Sequence, residues 1–191
     1  MTRLRPAPDL EVSAWLNTPE PITLATLSGK VVLLEVFQML CPGCVEFSLP
    51  QAGRVRSTFA AADLTVIGLH SVFEHHEAQG SQAALAAFLH EYRIGFPVGI
   101  DRQDADRRLP RTMAAYNLQG TPTTLLIDRQ GRLRAHHFGH VTDLKLGAQI
   151  QALIGEAALT PLAEPSPNPD TNGCTPDGCA VPAAEIERAL S

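Results

Sequence analysis

Long apolar runs are missing from this 191-residue chain, and no window approaches the roughly 18 uninterrupted apolar residues that a membrane-crossing helix requires. Charge is sparse as well, at 18% Asp, Glu, Lys and Arg, and the net balance of -5 leaves no basic excess to neutralise phosphates. That argues against a nucleic-acid partner. No internal repeat of useful length and no heptad pattern occurs, so solenoid and coiled-coil architectures fall away, while 45% hydrophobic residues exclude disorder throughout. The opening MTRLRPAPDLEVSAW is broken by charges and prolines where a secretory signal would be apolar. A cytoplasmic protein with no membrane partner is therefore expected. Cysteine is scarce too: the four residues fall into two close pairs, Cys41 with Cys44 and Cys174 with Cys179. Without an export signal, such pairs point to redox or metal chemistry rather than to a static disulfide framework.

The chain changes character near Glu156. Before it, apolar runs of strand length alternate with helical patterns, the sequence form of a sheet covered by helices. After it, six of the fifteen prolines crowd between Pro161 and Pro182, around the polar LAEPSPNPDTNG. The expected organisation is an α/β domain over residues 1–155 and a Pro-rich tail over 156–191. The tail's final VPAAEIERAL reads as a short helix with Ile186 and Leu190 on one face, too short to stand alone without docking.

Within the body, Val31 to Phe37 (VVLLEVF) is the strongest strand and should be central. A helix is expected from about Pro42 to Phe59, a strand from Leu64 to Leu69 ending at His70, and a Ser-capped helix from Ser81 to Tyr92. FPVGI is a short strand and Arg111 to Tyr116 a helical piece. TTLLID and RLRAHHF form a hairpin through Asp128 to Gly131, and Thr142 to Gly155 makes the last helix.

The chemistry begins at Cys41-Pro42-Gly43-Cys44, where the central strand hands over to its helix. Cys41 at the cap position and Pro42 as first helical residue leave backbone N–H groups and the positive helix end facing the Cys41 sulfur, which favours a thiolate there. Cys41 is then the attacking sulfur, and Cys44, one turn inward, resolves a mixed disulfide. The competing reading is half of a zinc site, since the same spacing also binds metal. Glu35, an acid within the apolar strand six residues before Cys41, is expected to be buried with a raised pKa and to accept the Cys44 proton. The alternative is a glutamate pointing outward.

At this point the chain resembles the thioredoxin superfamily, and within it the TlpA/ResA-like thiol-disulfide oxidoreductases and redoxins. Thr26-Leu27-Ser28-Gly29-Lys30-Val31-Val32-Leu33-Leu34 is similar to the family's lead-in to the active site, Cys41 to Cys44 to its CxxC, and Gly120 to Asp128 (GTPTTLLID) to its GTPTT segment. The likeness runs from about Pro8 to Gly155, and Phe96 to Asp101 resembles an extra strand of TlpA- and peroxiredoxin-like members. It implies a thioredoxin-like three-layer sandwich, a central mixed sheet flanked by helices. It also implies a cis Pro122 opposite the dithiol, with the Thr121 backbone, Pro42 and Gly43 meeting a substrate strand. Glu35 matches the buried aspartate of thioredoxin.

The departures matter as much. Leu40 stands where most relatives have tryptophan, Gln38 and Met39 are atypical, and together they imply an altered substrate-facing rim. Pro50 sits one residue further along than the family's helix-kinking proline. His70 at a strand's carboxyl end, with His75 and His76 after it, raises a weak metal hypothesis. His136 and His137 should point to opposite faces of a strand, and His90 lies on a helix surface. No metal and no cofactor are expected.

Cys174 and Cys179, in NGCTPDGC, suit a labile disulfide, a secondary redox relay, a redox-controlled cover over the active site, further metal thiolates or an inert bridge. A flexible linker of about eighteen residues spans roughly 25 Å, enough to bring this pair to Cys41. The expected function is a thiol-disulfide oxidoreductase acting on disulfide-containing proteins or small molecules, served by an electron donor the sequence leaves unnamed. Two rivals stay open. A peroxiredoxin-like thiol peroxidase shares the fold, although Gln38 and Leu34 stand where its Thr and Pro belong. A noncatalytic module holding metal on four thiolates is the other.

Overall fold

The structure is a computed structural model and describes residues 5–156, together with the backbone of a two-stranded hairpin in the tail. The chain separates into two units, Met1–Ala158 and Leu159–Ser191. In the first, six strands form one mixed sheet in the order β1-β4-β3-β2-β5-β6. They are β1 (Val12–Leu16), β2 (Val31–Phe37), β3 (Leu64–His70), β4 (Val98–Asp101), β5 (Thr123–Ile127) and β6 (Leu133–Phe138). The β2, β3 and β4 strands run parallel; β1 joins β4, and β5 and β6 continue from β2, all antiparallel.

Every residue of β2 is buried, as a strand covered on both faces requires. Its alternate side chains feed two cores. Val31, Leu33 and Phe37 pack with Leu49, Ala52 and Val55 of α1 (Leu49–Thr58), Leu85 and Leu89 of α3 (Gln82–Glu91), and Leu146, Ile150 and Leu153 of α5 (Asp143–Glu156). Val32, Leu34 and Val36 pack on the other side with Met113 of α4 (Arg111–Ala115) and with Tyr116 and Leu118 beyond it. This is a three-layer α/β sandwich with Glu35 and Cys44 on the α1 side of the sheet. The short α4 is fixed from the sheet: the buried Asp101 carboxylate accepts from the backbone N–H groups of Thr112 and Met113 and from the Ser71 hydroxyl, at 2.8–3.0 Å.

Two elements lie outside the sequence reading. The edge strand β1 was absent from it because its pairing is irregular: the register shifts between Val12 and Ala14, so no clean alternation marks it. Its partner strand approaches closely at Gly99, where a Cβ would come within 2.9 Å of Val12 and 3.3 Å of Trp15 and force those side chains to shift. The other is α2 (His76–Gln79), four residues opened by His75 at φ +52°.

The helix after the CPGC sequence also differs from a plain α-helix. Cys44–Ser48 forms a wide π turn in which the Leu49 N–H donates to the Cys44 carbonyl, five residues back. A π turn holds one more residue than the α turn it replaces, which accounts for the one-residue displacement of Pro50. In the tail, β7 (Cys174–Thr175) and β8 (Gly178–Cys179) pair antiparallel. The expected terminal helix over 181–190 and its Ile186 and Leu190 face lie outside the described residues.

Candidate active site

The parallel β2 delivers its C-terminal end to the sheet edge where α1 begins, and the four residues from Gln38 turn the chain into the helix. The Cys41 N–H donates to the Gln38 carbonyl at 3.2 Å, and the Cys41 carbonyl accepts from Cys44 and Val45 at 3.0 and 3.1 Å. Cys41 thus ends the loop and opens the helix. The two sulfurs have unequal surroundings: Cys41 is half-buried and Cys44 fully buried, and both are free thiols. The Cys44 backbone N–H donates to the Cys41 sulfur at 3.3 Å, the bond a helix N-terminus offers a sulfur anion. Burial, and then the adjoining Cys41, push the Cys44 thiol far above the ordinary cysteine range, against weaker pulls from the Gln38 backbone and the Thr121 side chain.

The Thr121–Pro122 peptide bond is cis. Pro122 sits on the CPGC loop: a Cβ built on Gly43 would meet the proline ring at 3.4 Å. Pro122 is held in turn by the Gly139 N–H, just past β6, which donates to the Pro122 carbonyl at 2.9 Å. Cys41, Cys44, Gly43, Thr121 and Pro122, far apart in the sequence, therefore share one site.

Glu35 is 1% exposed, so the outward-pointing alternative is excluded. It stands directly across from Thr124 on β5, whose hydroxyl donates to Oε2 at 2.7 Å, while Oε1 is without a hydrogen-bond partner among the described residues. Burial raises its pKa to about 8, opposed by the hydroxyls of Thr124 and Ser48. Ser48 lies one turn beyond Cys44 on the same helix, its hydroxyl directed to the Cys44 carbonyl at 3.5 Å.

The rim departs from the sequence reading in one respect. Leu40 is 56% exposed, but Gln38 and Met39 are buried, so only Leu40 faces outward. Gln38 is instead half of an amide latch that sequence reasoning missed. Gln79 of α2 donates to the Gln38 side-chain carbonyl and to the Glu74 backbone carbonyl, both at 2.9 Å, and accepts from the Leu40 N–H at 3.2 Å. The latch fixes the residue before Cys41. Replacing Gln79 by methionine, of similar size but without donors, strands buried polar groups and should cost about 2 kcal/mol. Urea unfolding reads this; a wild-type midpoint at wild-type slope would show that the latch contributes nothing.

The histidines disperse. His70 is buried, with Nε2 unpartnered among the described residues and its pKa lowered to about 4 by burial, and its ring lies 5.3 Å from Phe37. His137 faces α5 and pairs with Gln149 at 2.8 Å, whereas His136 is exposed. No group of three or more His, Cys, Asp or Glu side chains that could hold a metal occurs among the described residues. Cys174 and Cys179 stand opposite each other across the tail hairpin; their side chains lie outside the described residues.

Residues 4–136 match the family model of the AhpC/TSA family. The chain belongs to that family. It is 26% identical over 138 residues to the thiol-disulfide oxidoreductase ResA of Halalkalibacterium halodurans, covering 72% of this chain and 70% of that one. It is 33% identical over 137 residues to the DipZ protein of Mycobacterium bovis, covering 70% of this chain and 18% of DipZ. The chain thus spans under a fifth of that relative's length. Among solved structures, the thioredoxin-like superfamily protein SPOA0173 is 56% identical, with a TM-score of 0.76 over 78% of this chain and 96% of that one. A thiol-disulfide isomerase from Corynebacterium glutamicum is 45% identical, with a TM-score of 0.74 over the same shares of the two chains, 78% and 96%. Family and fold are those of the thioredoxin-like, TlpA/ResA-like thiol-disulfide oxidoreductases.

Proposed function

We propose that this AhpC/TSA member reduces disulfides, with Cys41 attacking and Cys44 resolving. The asymmetry of the two sulfurs carries the reading: one is reachable and accepts a backbone N–H, while the other is enclosed. The Cys41 thiolate attacks a substrate sulfur; one S–S bond breaks, a mixed disulfide forms, and the first substrate thiolate leaves with a proton from solvent. Cys44 then loses its proton and attacks the Cys41 sulfur, releasing the second substrate thiol and closing the Cys41–Cys44 disulfide. Two electrons pass from the dithiol to the substrate.

Two further features support the scheme. The Thr121–Pro122 segment, whose proline ring lies against Gly43, suits a substrate chain laid beside it and Pro42 as an added strand. Glu35 lies on the Cys44 side of the sheet with a pKa raised to about 8, which suits a group that takes the Cys44 proton during resolution and gives it back on re-reduction. Reduction as the net direction belongs to a cytoplasmic setting with a thiol electron donor, where the ambient potential keeps the dithiol reduced. In the tail, the same proposal assigns Cys174 and Cys179 a disulfide that exchanges with Cys41–Cys44. If so, deleting residues 156–191 changes turnover or the potential of the couple; unchanged values in both would reduce the tail pair to a structural bridge.

The reading is tested by insulin reduction, run beside peroxide consumption and metal analysis of protein purified under reducing conditions. Turnover of insulin disulfides at the expense of a dithiol donor, without stoichiometric metal, is the expected result. Peroxide consumed faster than insulin, or thiolate-bound zinc without turnover, would replace it with one of the rival functions.

A further inference from the structure

A cavity of about 500 Å³ opens between α1 and the segment joining α3 to β4, with Val45 at one end. That volume lies within the roughly 300–1,000 Å³ typical of small-molecule sites. Leu49, Ile94 and Phe96 line it with apolar surface, and Arg56 and Arg93 border it. Neither guanidinium has an ion-pair or hydrogen-bond partner among the described residues. Arg56 lies over Gly95, where an added Cβ would come within 3.1 Å of its Nη1.

Two residues here are not those that local propensity would choose. Gly53 occupies the middle of α1, where glycine is among the poorest helix formers, although a Cβ there would meet nothing within 4 Å. Gly53 is exposed and lines the cavity. Arg93 follows the last turn of α3 at φ +54°, a left-handed conformation that glycine or asparagine takes at less cost. One departure removes a side chain from the cavity and the other places a cation at its edge.

We propose that this cavity binds a small amphipathic carboxylate, its apolar body over Gly53 and its anionic head between Arg56 and Arg93. The apolar floor of this open groove supplies contact area for a short acyl or aryl body, and two unpaired cations supply the charge for one head group. The inference does not depend on the redox reading.

Octanoate is the probe and 1-octanol its neutral counterpart, titrated into the full-length chain by calorimetry and followed through the backbone amide shifts of Val45, Gly53 and Gly95. Octanoate should bind with one site per chain. The double variant Arg56→Gln/Arg93→Gln should weaken octanoate at least tenfold and leave octanol within twofold. Gly53→Leu should abolish binding of both while insulin reduction is unchanged. The proposal is overturned if octanoate shows no saturable binding at millimolar concentration, or if it binds the charge variant as tightly as wild type. It is equally overturned if wild type sediments as a dimer that Gly53→Leu converts to monomer, which would assign the cavity to a second copy.

Discussion

Serine at position 41 should reduce disulfide turnover by roughly a thousandfold or more, to the level of the uncatalysed reaction, because no other thiol is held at the helix start. Serine at position 44 should behave differently. Cys41 keeps its exposure and the N–H bond from residue 44, so attack proceeds, but position 44 no longer displaces the substrate, and with Cys174 and Cys179 held as their own disulfide the mixed disulfide accumulates. The two variants thus separate the half-reactions: the first shows no burst of substrate thiol, and the second shows a burst of one equivalent followed by arrest. A burst of equal size in both would mean that the sulfurs are interchangeable, which their unequal burial does not allow.

The second large effect is expected at Glu35, and it has two signs. In turnover, the carboxylate is the active form, so the resolution step should accelerate about tenfold per pH unit up to about 8 and level off above. Glu35→Gln should flatten that profile and slow resolution while leaving the initial attack by Cys41 unchanged. Stability moves the other way. The folded-state value of about 8 exceeds the ordinary 4.5, so the unfolded chain gives up this proton first as pH rises. The native protein therefore loses stability from about pH 4.5 to 8 through this one group. Glu35→Gln escapes the loss: it should unfold like wild type at pH 4.5 and be more stable by up to about 5 kcal/mol above pH 8. Denaturant melts at the two pH values check this. An equal difference at both would show that Glu35 does not titrate between them.

Much of this site is written locally in the chain. The unbroken apolar run of β2 declares a strand buried on both faces, the CPGC tetrad follows it directly, and Gly120 to Asp128 marks the opposing loop. Each signal is carried by consecutive residues, so periodicity and turn chemistry suffice to find it. What escaped is nonlocal or irregular. Gln38 and Gln79 are 41 residues apart, and a buried amide pair leaves no periodic trace in either segment. The β1 strand is interrupted by its register shift, and α2 has only four residues. The displaced Pro50 was visible as an anomaly, but its cause, a wide turn at Cys44–Ser48, is a backbone arrangement that no residue type announces. The cavity beside α1 depends on the absence of a side chain at Gly53, and a lone glycine in a helical pattern reads equally well as mere tolerance.

The central claim is that Cys41 attacks and Cys44 resolves, and the location of the trapped adduct tests it most directly. Reduced Cys44→Ser protein is mixed with a disulfide-linked peptide, quenched in acid within seconds, and mapped by mass spectrometry after digestion. The account predicts one peptide disulfide-bonded to Cys41 and none to Cys174 or Cys179. An adduct on the tail cysteines with Cys41 unmodified, or rapid single-peptide trapping at Cys44 in a Cys41→Ser control, would contradict it.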